Sequence, residues 1–146
     1  MGNCYICNKH NGLIDTCGKV YSDDLLSVYH MEPQDGKVYL GYLFIELHRH
    51  IKGLEDMNDD ESIAVGRMLK RISKTLKDNF DVDHVYSHVI GDNIPHLHIH
   101  IIPRYKGAPK EFWGLKTDEW TEAPHGDKDI VNKYCIKFTE LLAESI

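Results

Sequence analysis

Residues 91–104 read GDNIPHLHIHIIPR, with histidine at positions 96, 98 and 100. Successive side chains of a β-strand point to opposite faces, so a strand here places His96, His98 and His100 on one face. The alternate positions are apolar and would face a core: Leu97, Ile99 and Ile101. Pro103 has no backbone N–H to donate and is expected to end the strand. The stretch therefore predicts a half-buried strand whose polar face consists entirely of imidazole.

Three interpretations of this row of imidazoles are open. It could be an ordinary solvated strand face, although histidine is too uncommon for three to fall in register often by chance. Two of the rings could bind a catalytic zinc, with a third ligand from elsewhere and water in the open position. Alternatively, a neutral imidazole could attack a carbonyl or phosphoryl centre, provided that a neighbour fixes its tautomer.

The chain as a whole has 146 residues, which suits a single domain with its own core. Its formal net charge of -6 argues against general electrostatic binding to nucleic acid or to an anionic membrane. No apolar run approaches the ~18 residues that span a bilayer. The first residues, MGNCYICNKHNG, lack the apolar segment of a signal peptide. We therefore expect a cytoplasmic protein without nucleic-acid or membrane partners.

The rest of the chain alternates between strand and helix patterns. Strand patterns, rich in β-branched and aromatic residues, occur at 25–29, 38–46 and 83–90. A long helix is predicted over 57–80, where Asn58 and Glu61 form a capping box. Its buried stripe has helical spacing: Val65, Met68, Leu69, Ile72 and Leu76. A last helix begins near Asp129. The order favours antiparallel pairing and an α+β fold, with helices on one face of the sheet.

The cysteines indicate a metal rather than a disulfide framework. The chain contains Cys4, Cys7, Cys17 and Cys135. The Cys-x-x-Cys spacing of the first two lets both thiolates bind one ion, although a redox pair or free thiols have the same spacing. Cys135 lies on the apolar face of the last helix and is assigned to the core.

The histidine row carries a specific resemblance. HLHIHII (96–102) fits the pattern His-φ-His-φ-His-φ-φ, with φ apolar, for which the histidine triad (HIT) family of nucleotide hydrolases and transferases is named. The flanking stretches also resemble that family, in the right order: CYIC, KVYSDDLLSVY, GYLFIELHRHIKGLEDMNDDE and GDNIPHLHIHIIPRY. The similarity covers roughly residues 4 to 105. It implies one HIT domain over residues 1–146, with an antiparallel sheet, a long helix and a C-terminal helix, assembled as a homodimer.

The resemblance also implies a chemistry. His98, the middle histidine, should attack the α-phosphorus of a small-molecule nucleotide and form a covalent nucleotidyl-histidine. The substrates would be phosphate anhydrides, esters or phosphoramidates, including dinucleoside polyphosphates. His100 should donate to a phosphate oxygen or to the leaving group, and Asn93 with nearby backbone N–H groups should hold the other oxygens. His96 could orient the nucleophile or bind zinc. The remaining expected substrate contacts are His30, Tyr42 and Arg104.

In zinc-bearing members of the family, two cysteines and two histidines bind the ion. The matching positions here are Cys4, Cys7, His50 and His96, with His48 and His10 as substitutes for a histidine ligand. The resemblance implies a closed structural zinc that ties the N-terminus to the sheet behind the active site.

The sequence also departs from the family. His30 stands where many members have an aspartate for the ribose hydroxyls, and Tyr42 stands where many have a histidine. The tail carries Trp113 and Trp120, which could shape the pocket or simply pack in the core. Two rival functions remain open at this point: a hydrolase with zinc on the triad itself, and a nucleotide-binding protein without turnover. Loss of activity on removal of metal by a chelator, restored by zinc without refolding, would favour the first. Unchanged nucleotide binding in His98→Ala, with no detectable product from any nucleotide, would favour the second.

Overall fold

The computed structural model describes residues 2–145 of the chain. The α-helices in this part are α1 (Tyr5–His10), α2 (Asp59–Asn79) and α3 (Lys128–Ala143). The strands are β1 (Lys19–Ser22), β2 (Leu26–His30), β3 (Val38–Tyr39), β4 (Leu43–Leu47), β5 (Val82–His88), β6 (His98–Tyr105) and β7 (His125–Gly126). Short 3-10 turns lie at Leu54–Asp56, Lys110–Phe112 and Gly114–Glu119. Among the described residues, no helix combines the length and hydrophobicity that crossing a bilayer requires.

Five strands form one antiparallel sheet in the order β1-β2-β4-β6-β5, and β3 pairs with β7 in a separate two-stranded sheet. Helices α2 and α3 pack on the large sheet and on each other. Their buried side chains share one core cluster with the apolar residues of the central strands, among them Ile45, Ile99, Ile101, Ile72 and Phe138. The predicted α+β class is therefore confirmed.

Helix α2 begins at the predicted capping box. The Asn58 side chain accepts a hydrogen bond from the Glu61 N–H at 2.9 Å, and the Glu61 carboxylate accepts one from the Asn58 N–H at 2.9 Å. The predicted stripe faces the sheet, with Val65, Met68, Ile72 and Leu76 buried and Leu69 partly buried. Since the stripe is continuous, α2 covers the back of the sheet and leaves the opposite face to the histidines.

The predicted strand over 38–46 is in fact two strands. β3 ends at Tyr39 and β4 begins at Leu43, with a turn between them. Gly41 in that turn has φ +82°, and a Cβ there would lie 2.7–2.9 Å from atoms of Tyr134, Pro103 and Tyr105. Only glycine fits this turn, which redirects the chain between β3 and β4 just before Tyr42.

The histidine strand begins two residues later than predicted and ends three residues later. β6 runs from His98 through Pro103 to Tyr105. Pro103 is tolerated because β4 stops pairing at Ile101, so this part of β6 has only β5 as a neighbour. His96 precedes the strand. The predicted common face therefore applies to His98 and His100 but not to His96.

Candidate functional site

The site lies on the face of the sheet opposite the helices. His98 and His100 project from β6, and cross-strand pairing places a side chain beside each of them. On β4, Glu46 is opposite His98 and Phe44 is opposite His100. On β5, His88 is also opposite His100. Directly paired residues of antiparallel strands share a face, so these five side chains form one surface.

The tautomer of His98 is fixed by the backbone. Its Nδ1 lies 2.7 Å from the carbonyl oxygen of His96. A carbonyl oxygen can only accept, so Nδ1 carries the proton and donates. In the neutral ring, the lone pair is therefore on the second nitrogen, Nε2. The half-buried His98 thus has Nε2 as its nucleophilic nitrogen.

His100 is held on several sides. The Tyr42 hydroxyl lies 2.8 Å from its Nδ1. The edge of Phe44 lies against its ring, with centroids 4.9 Å apart and planes at 68°. Burial, followed by the neighbouring His88 and His98, lowers the pKa of His100 to about 4. The ring is therefore uncharged at neutral pH, and burial raises the pKa of the Tyr42 hydroxyl to about 12, so that group keeps its proton.

A separate cluster contains the four predicted metal ligands. The ligand atoms of Cys4, Cys7, His50 and His96 all lie within 4.8 Å of one another. His96 Nδ1 is 3.4 Å from each sulfur and 3.2 Å from His50 Nδ1. His96 Nε2 donates to the Leu47 carbonyl oxygen at 2.6 Å, so its Nδ1 presents a lone pair to the cluster.

This spacing fits a metal. Tetrahedral zinc, with sulfur at about 2.3 Å and nitrogen at about 2.0 Å, separates its ligand atoms by roughly 3.3–3.8 Å. Two buried or half-buried thiols and two imidazole nitrogens converging on one point could hold such an ion. The substitutes His10 and His48 lie outside this cluster: His10 contacts Glu46, and His48 contacts Ser27. Of the triad, only His96 belongs to the four-ligand group found among residues 2–145.

A cavity of about 360 Å³ opens beside His98. Its lining includes Tyr5, Lys9, Tyr29, Phe44, Glu46 and His98. Lys9 Nζ lies 2.6 Å from Glu46 and 4.0 Å from the Tyr29 ring centroid, and His10 Nε2 lies 3.0 Å from the other Glu46 oxygen. Helix α1 is therefore a wall of the cavity, on the same side of the sheet as His98. This corrects the expectation that the N-terminal element lies behind the site.

The expected substrate contacts occupy different positions around this cavity. His30 is 2% exposed; its Nδ1 donates to the Met31 carbonyl at 2.7 Å, and its Nε2 accepts from the Gly41 N–H at 2.9 Å. Burial lowers its pKa, and no ring nitrogen is left for a ligand. Tyr42 reaches His100 rather than the cavity, and the Asn93 side chain is exposed in the loop before the triad.

Arg104 lies further along β6. Its guanidinium donates to the Tyr86 hydroxyl at 2.7 Å and stacks 3.8 Å from the Trp113 ring centroid. Trp113 is 45% exposed and Trp120 packs against the core. Neither tryptophan is among the residues lining the cavity beside His98.

Sequence reasoning missed several residues of this site, among them Lys9, Phe44, Glu46 and His88. Glu46 and His88 had a usable signal, because each alternates with other residues of a strand next to the histidine strand. Lys9 had none, since its position depends on where α1 packs.

Comparison with known proteins identifies a family for this chain. Residues 15–107 match the family model for the HIT domain. An uncharacterized HIT-like protein from Methanocaldococcus jannaschii is 28% identical over 109 residues, which cover 71% of this chain and 81% of the relative.

Solved structures share the fold. A HIT-like protein from Bartonella henselae, described as involved in cell-cycle regulation and crystallised with an unknown ligand, has a TM-score of 0.71 at 20% identity, covering 97% of this chain and 98% of that one. A zinc-bound histidine triad family protein from Mycobacterium smegmatis has a TM-score of 0.68 at 14% identity, covering 98% and 95%. A hypothetical histidine triad nucleotide-binding protein from Sulfolobus tokodaii has a TM-score of 0.66 at 22% identity, covering 97% and 91%. With the domain match spanning most of its length and the triad in place, the chain belongs to the HIT family.

Proposed function

We propose that this protein is a nucleotide hydrolase or transferase that acts through a covalent nucleotidyl-His98. Its substrates would be nucleoside phosphate anhydrides, esters or phosphoramidates, including dinucleoside polyphosphates. The observation that carries the proposal is the 2.7 Å contact between His98 Nδ1 and the His96 carbonyl. It leaves a nucleophilic Nε2 beside a cavity large enough for a small-molecule ligand.

The reaction has two steps. The Nε2 lone pair of His98 forms a bond to the α-phosphorus, and the bond from phosphorus to the leaving group breaks. The leaving group departs with the electron pair and takes up a proton. Water or another acceptor then attacks the same phosphorus, loses a proton and releases His98 with its lone pair restored.

The other residues stabilise this reaction. In this proposal the Tyr42 hydroxyl donates to Nδ1 of His100, which puts the ring proton on Nε2. From Nε2, His100 donates a hydrogen bond to a phosphoryl oxygen or to the leaving group. Asn93 and backbone N–H groups near it hold the remaining oxygens. Arg104 contributes positive charge further along β6. His30 takes part only through the shape of the cavity wall, since both its ring nitrogens are engaged.

Zinc is the metal that the four-ligand cluster suits best. Cys4, Cys7, His50 and His96 would hold it, and it would supply folding free energy at the junction of α1 with the sheet. His96 thereby serves the metal through its side chain and the nucleophile through its carbonyl. We further propose a cytoplasmic homodimer, which rests on the family resemblance.

Replacement of His98 tests this function. His98→Ala should lower turnover of an adenylyl phosphoramidate or a dinucleoside polyphosphate by roughly a thousandfold or more while nucleotide affinity largely survives. His98→Gly should recover part of the activity when free imidazole is added. His84→Ala, a change of an exposed histidine on β5, is the matched control and should leave turnover unchanged. Nucleotide binding without product from the wild-type protein would indicate a binding protein instead.

A further inference from the structure

A third histidine belongs to the same surface as His98 and His100. His88 on β5 is the cross-strand partner of His100. Their rings are stacked, with centroids 4.5 Å apart and planes at 16°. His98 is the next ring along, 5.1 Å from His100. Three imidazoles thus lie in a row on the sheet face opposite the helices: those of His98, His100 and His88. His96 is not one of them.

His88 completes the enclosure of the His100 ring. One neighbour, Phe44, meets the ring with its edge, and Tyr42 engages Nδ1. His88 covers a face of the ring by stacking. The ring plane is therefore fixed, and Nε2 is the ring atom of His100 left for a ligand.

Packing alone does not account for a histidine at this position. The Nδ1 atom of His88 is buried and has no hydrogen-bond partner among the described residues. A buried polar atom without a partner is unfavourable for folding. Phenylalanine could make the same stack without that cost. The imidazole therefore reduces stability, which is the pattern expected where a side chain serves function.

Charge gives the histidine a role that phenylalanine lacks. Two stacked imidazoles at this separation repel each other when both are protonated. His98 on the same strand adds to the repulsion at His100, and the neutral Tyr42 hydroxyl adds no charge. The acidic group facing His88 is Asp118, from the 3-10 turn Gly114–Glu119; it partly offsets the burial that lowers the pKa of His88. The balance favours an uncharged pair.

We propose that His88 is a positioning residue for His100, fixing its ring plane and keeping it in the uncharged form that donates through Nε2. This inference rests on the proposed function, in which His100 assists at the phosphoryl group. Formation of nucleotidyl-His98 leaves Nδ1 protonated and both ring nitrogens substituted, so that ring becomes cationic. An uncharged His100 avoids a second cation beside it.

Two substitutions separate stacking from charge. His88→Phe keeps the stack and removes the titratable group, whereas His88→Ala removes both. In His88→Phe, the His100 titration followed by ¹⁵N NMR between pH 7.5 and 3.0 should move to higher pH by about half a unit or more. The melting temperature should be equal or higher, because the unpaired Nδ1 is gone. In His88→Ala, turnover at pH 7.5 should fall about tenfold with a smaller change in nucleotide affinity.

His84→Phe, at an exposed position four residues before His88 on β5, is the control and should change neither the His100 titration nor turnover. An unchanged His100 titration in His88→Phe, or wild-type turnover in His88→Ala, would overturn the proposal. Failure of the underlying function has a different signature: turnover would then be indifferent to His98→Ala, whereas the NMR result would still decide whether His88 controls the charge of His100.

Discussion

The proposed role of each central histidine follows from which of its ring nitrogens contacts the backbone. His98 gives Nδ1 to the His96 carbonyl and keeps Nε2 for chemistry. His96 gives Nε2 to the Leu47 carbonyl and keeps Nδ1 for the metal cluster. His30 has both nitrogens engaged by Met31 and Gly41 and is a core residue. In this proposal, one side-chain type has three tasks, assigned by its local backbone contacts.

Removal of one hydroxyl tests the support of His100. Tyr42→Phe should lower turnover by about tenfold, since His100 Nδ1 loses its partner and the ring loses one restraint. Steady-state kinetics with one nucleotide substrate would measure it. Tyr39→Phe removes another buried hydroxyl, one that donates to the Pro103 carbonyl away from the cavity, and should affect stability rather than turnover. Equal turnover in the two variants would contradict the assignment of Tyr42.

At the scale of single residues, the sequence identifies the triad but does not predict which partners each imidazole ring contacts. The alternation of apolar residues with histidines correctly predicts that Leu97, Ile99 and Ile101 are buried. The role of His30 could not be predicted from its strand, because it depends on the Gly41 N–H eleven residues away and on a turn that the strand pattern of 38–46 concealed.

Helix α1 is the element that connects the metal cluster with the cavity. It has six residues, too few for an isolated helix to be stable in water. Cys4 and Cys7 attach its first turn to the cluster, and Lys9 and His10 attach its last turn to Glu46. The Cys-x-x-Cys spacing predicted the ligands but not the helix, since the order of such a short segment depends on tertiary contacts.

Loss of a metal ligand should therefore also affect the cavity, because α1 connects the two. Cys4→Ser or His50→Ala should lower zinc content and stability, and should weaken nucleotide binding because the α1 wall is released. The maximum turnover rate per folded molecule should change less, since neither ligand touches the reacting atoms. Metal analysis, thermal unfolding and AMP titration would measure these effects. Cys135→Ala, a change of a thiol outside both the cluster and the cavity, is the control for zinc content and AMP affinity.

Nucleotide binding should in turn strengthen zinc binding, because linkage between two binding sites is reciprocal. AMP should slow the transfer of zinc from the wild-type protein to a chromogenic chelator. A zinc-free native protein, or nucleotide affinity unaffected by loss of the ion, would contradict this account of α1.

For the molecule as a whole, the order of strand and helix patterns was enough to predict the α+β class and the helices on one face of the sheet. The position of α1 and the division of the 38–46 segment were not predictable, because both depend on long-range packing. Stability in acid also depends on long-range packing. Burial keeps histidines such as His30 neutral, which makes the whole fold sensitive to acid.

Acid sensitivity has a definite sign. The pKa of His30 is lowered in the folded protein by burial, so the unfolded chain takes up the proton first as pH falls. The free energy of unfolding should be constant above the ordinary histidine pKa and should decrease below about pH 6.5, by at most about 1.4 kcal/mol per pH unit from this group. His30→Gln cannot titrate and should show a shallower decrease between pH 7 and 5 in urea unfolding with saturating zinc. If the free energy of unfolding fell with the same slope in both proteins, His30 would be ruled out as a source of the acid sensitivity.

The measurement that bears most directly on the mechanism is capture of the intermediate. Wild-type protein mixed with a nucleotide labelled at the α-phosphorus and quenched within one turnover should carry an acid-labile, base-stable label. Peptide mapping should place it on His98, and His98→Ala should remain unlabelled. Label on His96 or His100, or full activity in His98→Ala, would contradict the account.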